Sequence, residues 1–237
     1  MTHKIVFLDR KSLIADMRTP GFAHEWVDYE QTASEEVVAR LVGASVVISN
    51  KVKLSGEILA QAPSVKMIAV AATGTDIIDL AYCREHGIVV SNIRGYAVHT
   101  VPEHAFMLML ALRRNVFGWR EDLRAGLWQR SEQFCLFTRP MNDLHGSTLG
   151  LLGYGSLGHG MRRLAEAFGM KVLVAERKGA AVVREGYTDF DTVLREADVI
   201  SLHTPLTPET RHMVAAREFG LMKPSAILIN TARGNLV

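Results

Sequence analysis

The sequence predicts an α/β protein made of two doubly wound parallel-sheet lobes. Three observations carry that prediction. Short apolar runs alternate with helical patterns from end to end. A G-x-G-x-x-G at 153–158 directly follows one of those runs. At 237 residues, with 48% apolar and 22% charged side chains, the chain can bury two small cores.

The elements follow in order. Runs at 5–8, 46–48, 67–71 and 88–90 are apolar without polar alternation, as expected of strands covered on both faces. Helical patterns at 35–42, 54–61 and 76–86 separate them, with Gly87 where a helix-ending glycine is expected. These form the first lobe, residues 1–98. The second, 99–237, opens with Thr100-Val-Pro-Glu103, which reads as a capping box before a helix. The stretch 105–112 is apolar all round, so that helix is expected to be buried on most faces. Residues 118–146, with Trp119, Trp128 and several arginines, are less regular and read as an arm or interface. Alternation then resumes: strand 148–152, helix 156–168, strand 171–175, helix 191–196, strand 199–202, helix 208–221, strand 226–230.

Several function classes drop out. Twenty-seven basic and 25 acidic residues give a net charge of +2, so no whole-chain field favours nucleic acid or anionic lipid. No apolar run approaches membrane-span length, and the N-terminus lacks a secretory pattern. Cys83 and Cys135 show neither disulfide-framework nor metal-ligand spacing, and a reducing cytoplasm is expected.

The chemistry centres on Gly153-Tyr154-Gly155-Ser156-Leu157-Gly158. It follows a strand, opens a helix, and is followed by a second strand ending in Glu176, eighteen residues after Gly158. Gly153 would make the tight turn, Gly155 would admit a pyrophosphate, and Gly158 would let helix and strand pack closely. The helix start offers free N–H groups to the phosphates. Glu176 would receive the adenosine ribose hydroxyls and repel a 2′-phosphate, favouring NAD over NADP. Arg177 and Lys178 follow directly, either softening that preference or serving as solvated loop charges.

Ligands of open parallel sheets sit beyond the carboxyl ends of the strands. After the 67–71 strand, the amides of Ala72, Thr73 and Gly74 lie in a turn of small residues; they could bind a carboxylate or simply form a strand-to-helix turn. His203, Thr204 and Pro205 follow the 199–202 strand. Thr231, Ala232 and Arg233 follow the last strand, where an arginine suits a carboxylate or polarised carbonyl, though alone it would read as a surface ion-pair arginine.

Five ordered stretches, at 71–76, 100–104, 153–158, 201–210 and 227–234, resemble the D-isomer-specific 2-hydroxyacid dehydrogenases. Residues 5–10, 50–52 and 69–76 look closest to the glycerate dehydrogenase, or hydroxypyruvate reductase, branch. The resemblance implies a flavodoxin-like substrate lobe and a Rossmann NAD lobe, with the active site in the cleft between them. It implies that the 72–74 amides hold the carboxylate of a small 2-oxo acid, hydroxypyruvate or glyoxylate, and that Arg233 orients it. It places Thr100, His203 and Pro205 along the cofactor groove and a homodimer contact in the stretch through 146. The Glu–His pair that supplies the proton, the remaining Rossmann strands and a returning helix would lie C-terminal to Val237, leaving the NAD lobe incomplete. No histidine present is expected to replace that pair: His203 reads as an adenosine-side contact, His99 and His104 as structural. His86, His145, His159 and His212 lack an acidic partner at suitable spacing.

Three alternatives stand beside this reading. One is a truncated, non-catalytic NAD(H)-binding module. Another is an S-adenosylmethionine methyltransferase, disfavoured by the third glycine and the Asn-Thr-Ala-Arg-Gly strand end. The last is RNA binding through 118–130, where a plain helix face fits equally well.

Overall fold

Apolar runs without alternation form the centre of both sheets in the computed structural model, which describes residues 2–237. The chain divides into two units, one ending at Gly95 and the other spanning Tyr96–Val237.

Unit 1 contains β1 (His3–Phe7), β2 (His24–Asp28), α1 (Val37–Arg40), β3 (Val46–Ser49), α2 (Gly56–Ala60), β4 (Met67–Val70), α3 (Leu80–Glu85) and β5 (Val89–Asn92). All pairings are parallel, in the order β2-β1-β3-β4-β5, the flavodoxin-like order. Val6, Val47, Ile68 and Leu8 fill one face with Leu41, Leu54 and Leu59, while Ile5, Phe7 and Ile48 fill the other. Where the strand order reverses, the buried Asp9 carboxylate receives the backbone N–H of Asn50 (3.0 Å) and Lys51 (2.6 Å), tying the ends of β1 and β3 together.

Two sequence expectations change here. β2 has no counterpart among the predicted strands. The helix expected over 76–86 begins only at Leu80, because Asp79 caps it by accepting the Tyr82 N–H at 2.9 Å.

Unit 2 contains α4 (Thr100–Arg113), α5 (Val116–Arg124), α6 (Leu127–Arg130), β6 (Thr148–Leu152), α7 (Ser156–Ala167), β7 (Lys171–Val174), α8 (Phe190–Glu196), β8 (Val199–Leu202), α9 (Ala216–Leu221) and β9 (Ile227–Asn230). Its parallel sheet runs β7-β6-β8-β9, and Thr188 adds a single parallel bridge to Ala175 outside β7. Counting that bridge as a one-residue strand gives the 3-2-1-4-5 sequence of a Rossmann sheet. Leu149, Leu151, Val199 and Ile229 bury one face against α4 and α7. Leu152, Ile200 and Leu202 bury the other against Val193, Leu194 and Val214. Gly150 is required on that side, since a Cβ there would stand 2.6 Å from Val193 Cγ1.

The expected capping box at Thr100 does not form. Thr100 is the first residue of α4, and the turn before it is already wound, Val101 N–H donating to Ala97 O at 3.2 Å. Nor is α4 buried all round within its unit: Pro102, Ala105, Phe106 and Met109 are buried, whereas Met107 and Leu112 are exposed. The helix expected over 208–221 shrinks to Ala216–Leu221. In the arm, the buried Asp122 of α5 receives Arg139 (2.8 Å) and Thr138 (2.6 Å), which fixes the following loop.

Candidate active site

The glycine loop lies at the switch point of the second sheet, between β6 and α7, where the chain passes from one side of β6 to the other. Gly153 has φ +100°, a region open to glycine, and a Cβ there would meet the His203 carbonyl oxygen at 2.5 Å. A Cβ on Gly158 would meet the Gly153 carbonyl oxygen at 2.5 Å. Both glycines are thus demanded by packing inside the chain. Gly155 is different: its φ is −86° and nothing lies within 4 Å of where its Cβ would be. Nothing inside the chain demands a glycine there, and a pyrophosphate approaching the exposed start of the twelve-residue helix α7 fits.

The neighbouring strand ends share this wall. Thr204 Oγ1 donates to the Leu152 carbonyl at 2.8 Å, joining the ends of β6 and β8. Pro205 O receives Thr210 Oγ1 at 2.7 Å. His203 is buried, its Nε2 lies 2.9 Å from Ser201 Oγ, and its Nδ1 has no hydrogen-bond partner among the described residues. Burial pushes the imidazole down to about 4, so it is neutral at physiological pH. Thr231 Oγ1, after β9, is likewise buried without a partner among the described residues. Buried polar atoms are normally satisfied, so two orphans on adjacent strand ends fit a polar ligand. Tyr154 stacks on His159, with ring centroids 3.9 Å apart, and Arg162 donates to its hydroxyl. Pro102, two residues after Thr100, packs against Gly160 of α7, bringing the start of α4 to this helix.

Glu176 follows β7 as expected, but its carboxylate is engaged. It is 4% exposed and is held by the Arg184 guanidinium and by the N–H groups of Arg177 and Arg184. The Arg184 hydrogen bonds, then that of Arg177 N–H, hold its pKa down to about 2.

After β9, Asn230 braces the turn. Its Oδ1 receives Ala232 N–H (3.1 Å) and its Nδ2 donates to Arg233 O (2.9 Å), leaving the Arg233 side chain exposed.

In unit 1, the carbonyls of the 71–76 turn are tied back: Ala72 O receives Ile93 N–H, and Thr73 O receives Asn92 Nδ2 at 2.7 Å. Thr73 Oγ1 donates to Ile93 O at 2.8 Å. Among the described residues, the N–H groups of Ala72, Thr73 and Gly74 donate to no protein group. They form no helix start, since α3 begins later, yet three unengaged amides in one turn suit an anion.

Arg184, Ser201 and Asn230 were not singled out by the sequence. A serine inside the apolar run 199–202 and an asparagine closing 227–230 were visible signals; Arg184 had none.

Residues 106–237 match the D-isomer-specific 2-hydroxyacid dehydrogenase NAD-binding domain. This chain belongs to that family. Over 238 aligned positions the chain is 50% identical to a glycerate dehydrogenase of Methylorubrum extorquens, covering all of this chain and 74% of that protein. Its fold is similar to a D-lactate dehydrogenase from Aquifex aeolicus complexed with NAD and lactic acid. That match has a TM-score of 0.78 and 30% identity, covering 98% of this chain and 70% of the other. It is also similar to an acyclic imino acid reductase in complex with NADPH and D-arginine, with a TM-score of 0.82 and 26% identity over 99% and 76% of the two chains.

Proposed function

We propose that this dehydrogenase reduces a small 2-oxo acid, hydroxypyruvate or glyoxylate, to the D-2-hydroxy acid with NAD(H). The observation that carries the reading is the glycine loop, whose Gly155 has no reason internal to the chain, set beside two orphaned buried polar atoms. Bound there, a nicotinamide dinucleotide supplies the hydride that reduces C2 of the 2-oxo acid.

The chain's own residues then bind and orient. The α7 N–H groups hold the pyrophosphate, and Thr100, His203, Thr204, Pro205, Thr231 and Ala232 line the groove. The amides of Ala72, Thr73 and Gly74 receive the substrate carboxylate. Arg233 presents a planar fork to the 2-oxo acid oxygens, its backbone braced by Asn230. Neither Arg233 nor His203 gives the proton that the new alkoxide needs: guanidinium does not deprotonate, and His203 is neutral near pH 7. The resemblance assigns that proton to a Glu–His pair instead. The exposed Phe117, Leu123, Trp128 and Phe137 support a homodimer contact through the arm of unit 2. The two free thiols, Cys83 and Cys135, suit a reducing cytoplasm.

The test is to assay NADH oxidation with hydroxypyruvate and glyoxylate, using the 237-residue chain beside one extended to its relatives' length. Dinucleotide binding by both and turnover by the extended chain alone is the expected result. Turnover by the shorter chain overturns the assignment of the proton donor. Binding without turnover in both favours a non-catalytic NAD(H)-binding module.

A further inference from the structure

Glu176 stands where the dinucleotide fold carries the acid that receives the adenosine ribose. Its two oxygens receive four donors: Arg177 N (2.8 Å), Arg184 N (3.1 Å), Arg184 Nε (2.6 Å) and Arg184 Nη2 (2.7 Å). A carboxylate offers about four acceptor positions, so none is vacant while Arg184 stays in place. The backbone donors are fixed by the loop that returns at Thr188 to pair with Ala175. The Arg184 side chain, half-exposed, is the movable one.

Its surroundings place it beside the glycine loop. The Arg184 guanidinium lies 3.9 Å from the centre of the Tyr187 ring. Tyr187 in turn meets Tyr154 of the loop edge-on, with centroids 6.3 Å apart. The exposed Arg177 enters no ion pair among the described residues. Lys178 faces elsewhere, toward Glu218 (2.9 Å) and the Met213 carbonyl (3.0 Å). One buried carboxylate is therefore paired with one guanidinium, with the exposed side chains of Arg177 and Glu185 next to them in the chain.

We propose that Arg184 is the specificity-determining residue for the dinucleotide, and that by neutralising Glu176 it lets the site take a ribose 2′-phosphate, so that NADP(H) binds comparably to NAD(H). This rests on the cofactor reading above. A lone carboxylate repels a 2′-phosphate, whereas the forked pair does not. Two of the five guanidinium N–H groups face Glu176, leaving others for phosphate oxygens together with Arg177. With NAD(H), the half-exposed Arg184 swings into solvent and Glu176 receives the ribose hydroxyls.

The experiment is a set of dissociation constants for NADPH and NADH by fluorescence titration, with 2′,5′-ADP and 5′-AMP by calorimetry. The proteins are the wild type, Arg184→Ala and Arg184→Lys. The wild type should bind NADPH within about tenfold of NADH. Arg184→Ala should weaken NADPH and 2′,5′-ADP by roughly 10- to 100-fold, and Arg184→Lys by less. Arg184→Ala should bind NADH at least as tightly as the wild type, because no guanidinium has to leave Glu176 before the ribose hydroxyls reach it. NADH binding with NADPH weaker by more than about tenfold overturns the proposal and leaves the cofactor reading standing. An unchanged NADPH-to-NADH ratio in Arg184→Ala does the same. Binding of neither dinucleotide overturns both.

Discussion

The turns at 153–158 and 71–76 both follow a parallel strand, yet they are held by different means. The first is held by contact: at Gly153 and Gly158 a Cβ would stand 2.5 Å from backbone oxygen. The second is held by hydrogen bonds: Asn92 and Ile93 donate to its carbonyls, Thr73 Oγ1 donates out to Ile93 O, and three amides stay unengaged. Steric closure allows one residue type or none. Hydrogen-bonded bracing yields by degrees, because each bond contributes on the order of 1 kcal/mol net. A cofactor loop of the first kind is all-or-none, whereas an anion-binding turn of the second kind is tunable.

The most severe way to break that contrast is Gly153→Ala. It should weaken NADH binding by about 100-fold and lower stability by about 1–3 kcal/mol, read by fluorescence titration and thermal melting. Near-normal NADH binding would show the loop to be adjustable after all. Next comes His203, whose carbonyl closes the same loop. Its folded pKa, about 4, lies below the ordinary 6.5 because burial disfavours the charged ring. Its contribution is therefore complete above pH 6.5 and is lost as pH falls toward 4, by on the order of 3 kcal/mol. His203→Gln should flatten that part of the stability–pH curve; an unchanged slope would place the proton elsewhere. Arg233→Lys, in the extended chain, should lower kcat/KM for the 2-oxo acid by roughly 10- to 100-fold while sparing NADH affinity. The mildest change is Thr73→Val, which removes one brace. It should raise KM for the 2-oxo acid by about three- to tenfold with kcat nearly kept. A larger loss would put the second turn in the same class as the first.

Much of this arrangement was legible because packing leaves a mark in sequence. Strands covered on both faces must be apolar throughout, and those of unit 2 fall within a residue or two of their expected bounds. The edge strand β2 escaped, because His24-Glu-Trp-Val-Asp28 is half-buried and carries charge at an exposed margin. The long helix expected over 208–221 failed for a local reason. Thr210 Oγ1 bonds Pro205 O and receives Thr207 N–H, and such side-chain bonds hold a turn against helix formation. His212 then takes a left-handed φ of 50°. In the site, the glycines and strand-end residues were legible through spacing. The clasp of Arg184 on Glu176 was not, since it spans eight residues of aperiodic loop and depends on Thr188 returning to the sheet.

The unengaged amides of Ala72, Thr73 and Gly74 also carry a kinetic signature. With no protein acceptor to break, their protons exchange with solvent at rates set by local chemistry, not by an opening reaction. A carboxylate seated on them slows that exchange directly. These three positions are therefore a label-free clock for substrate capture, read in isolation from whatever the glycine loop is doing.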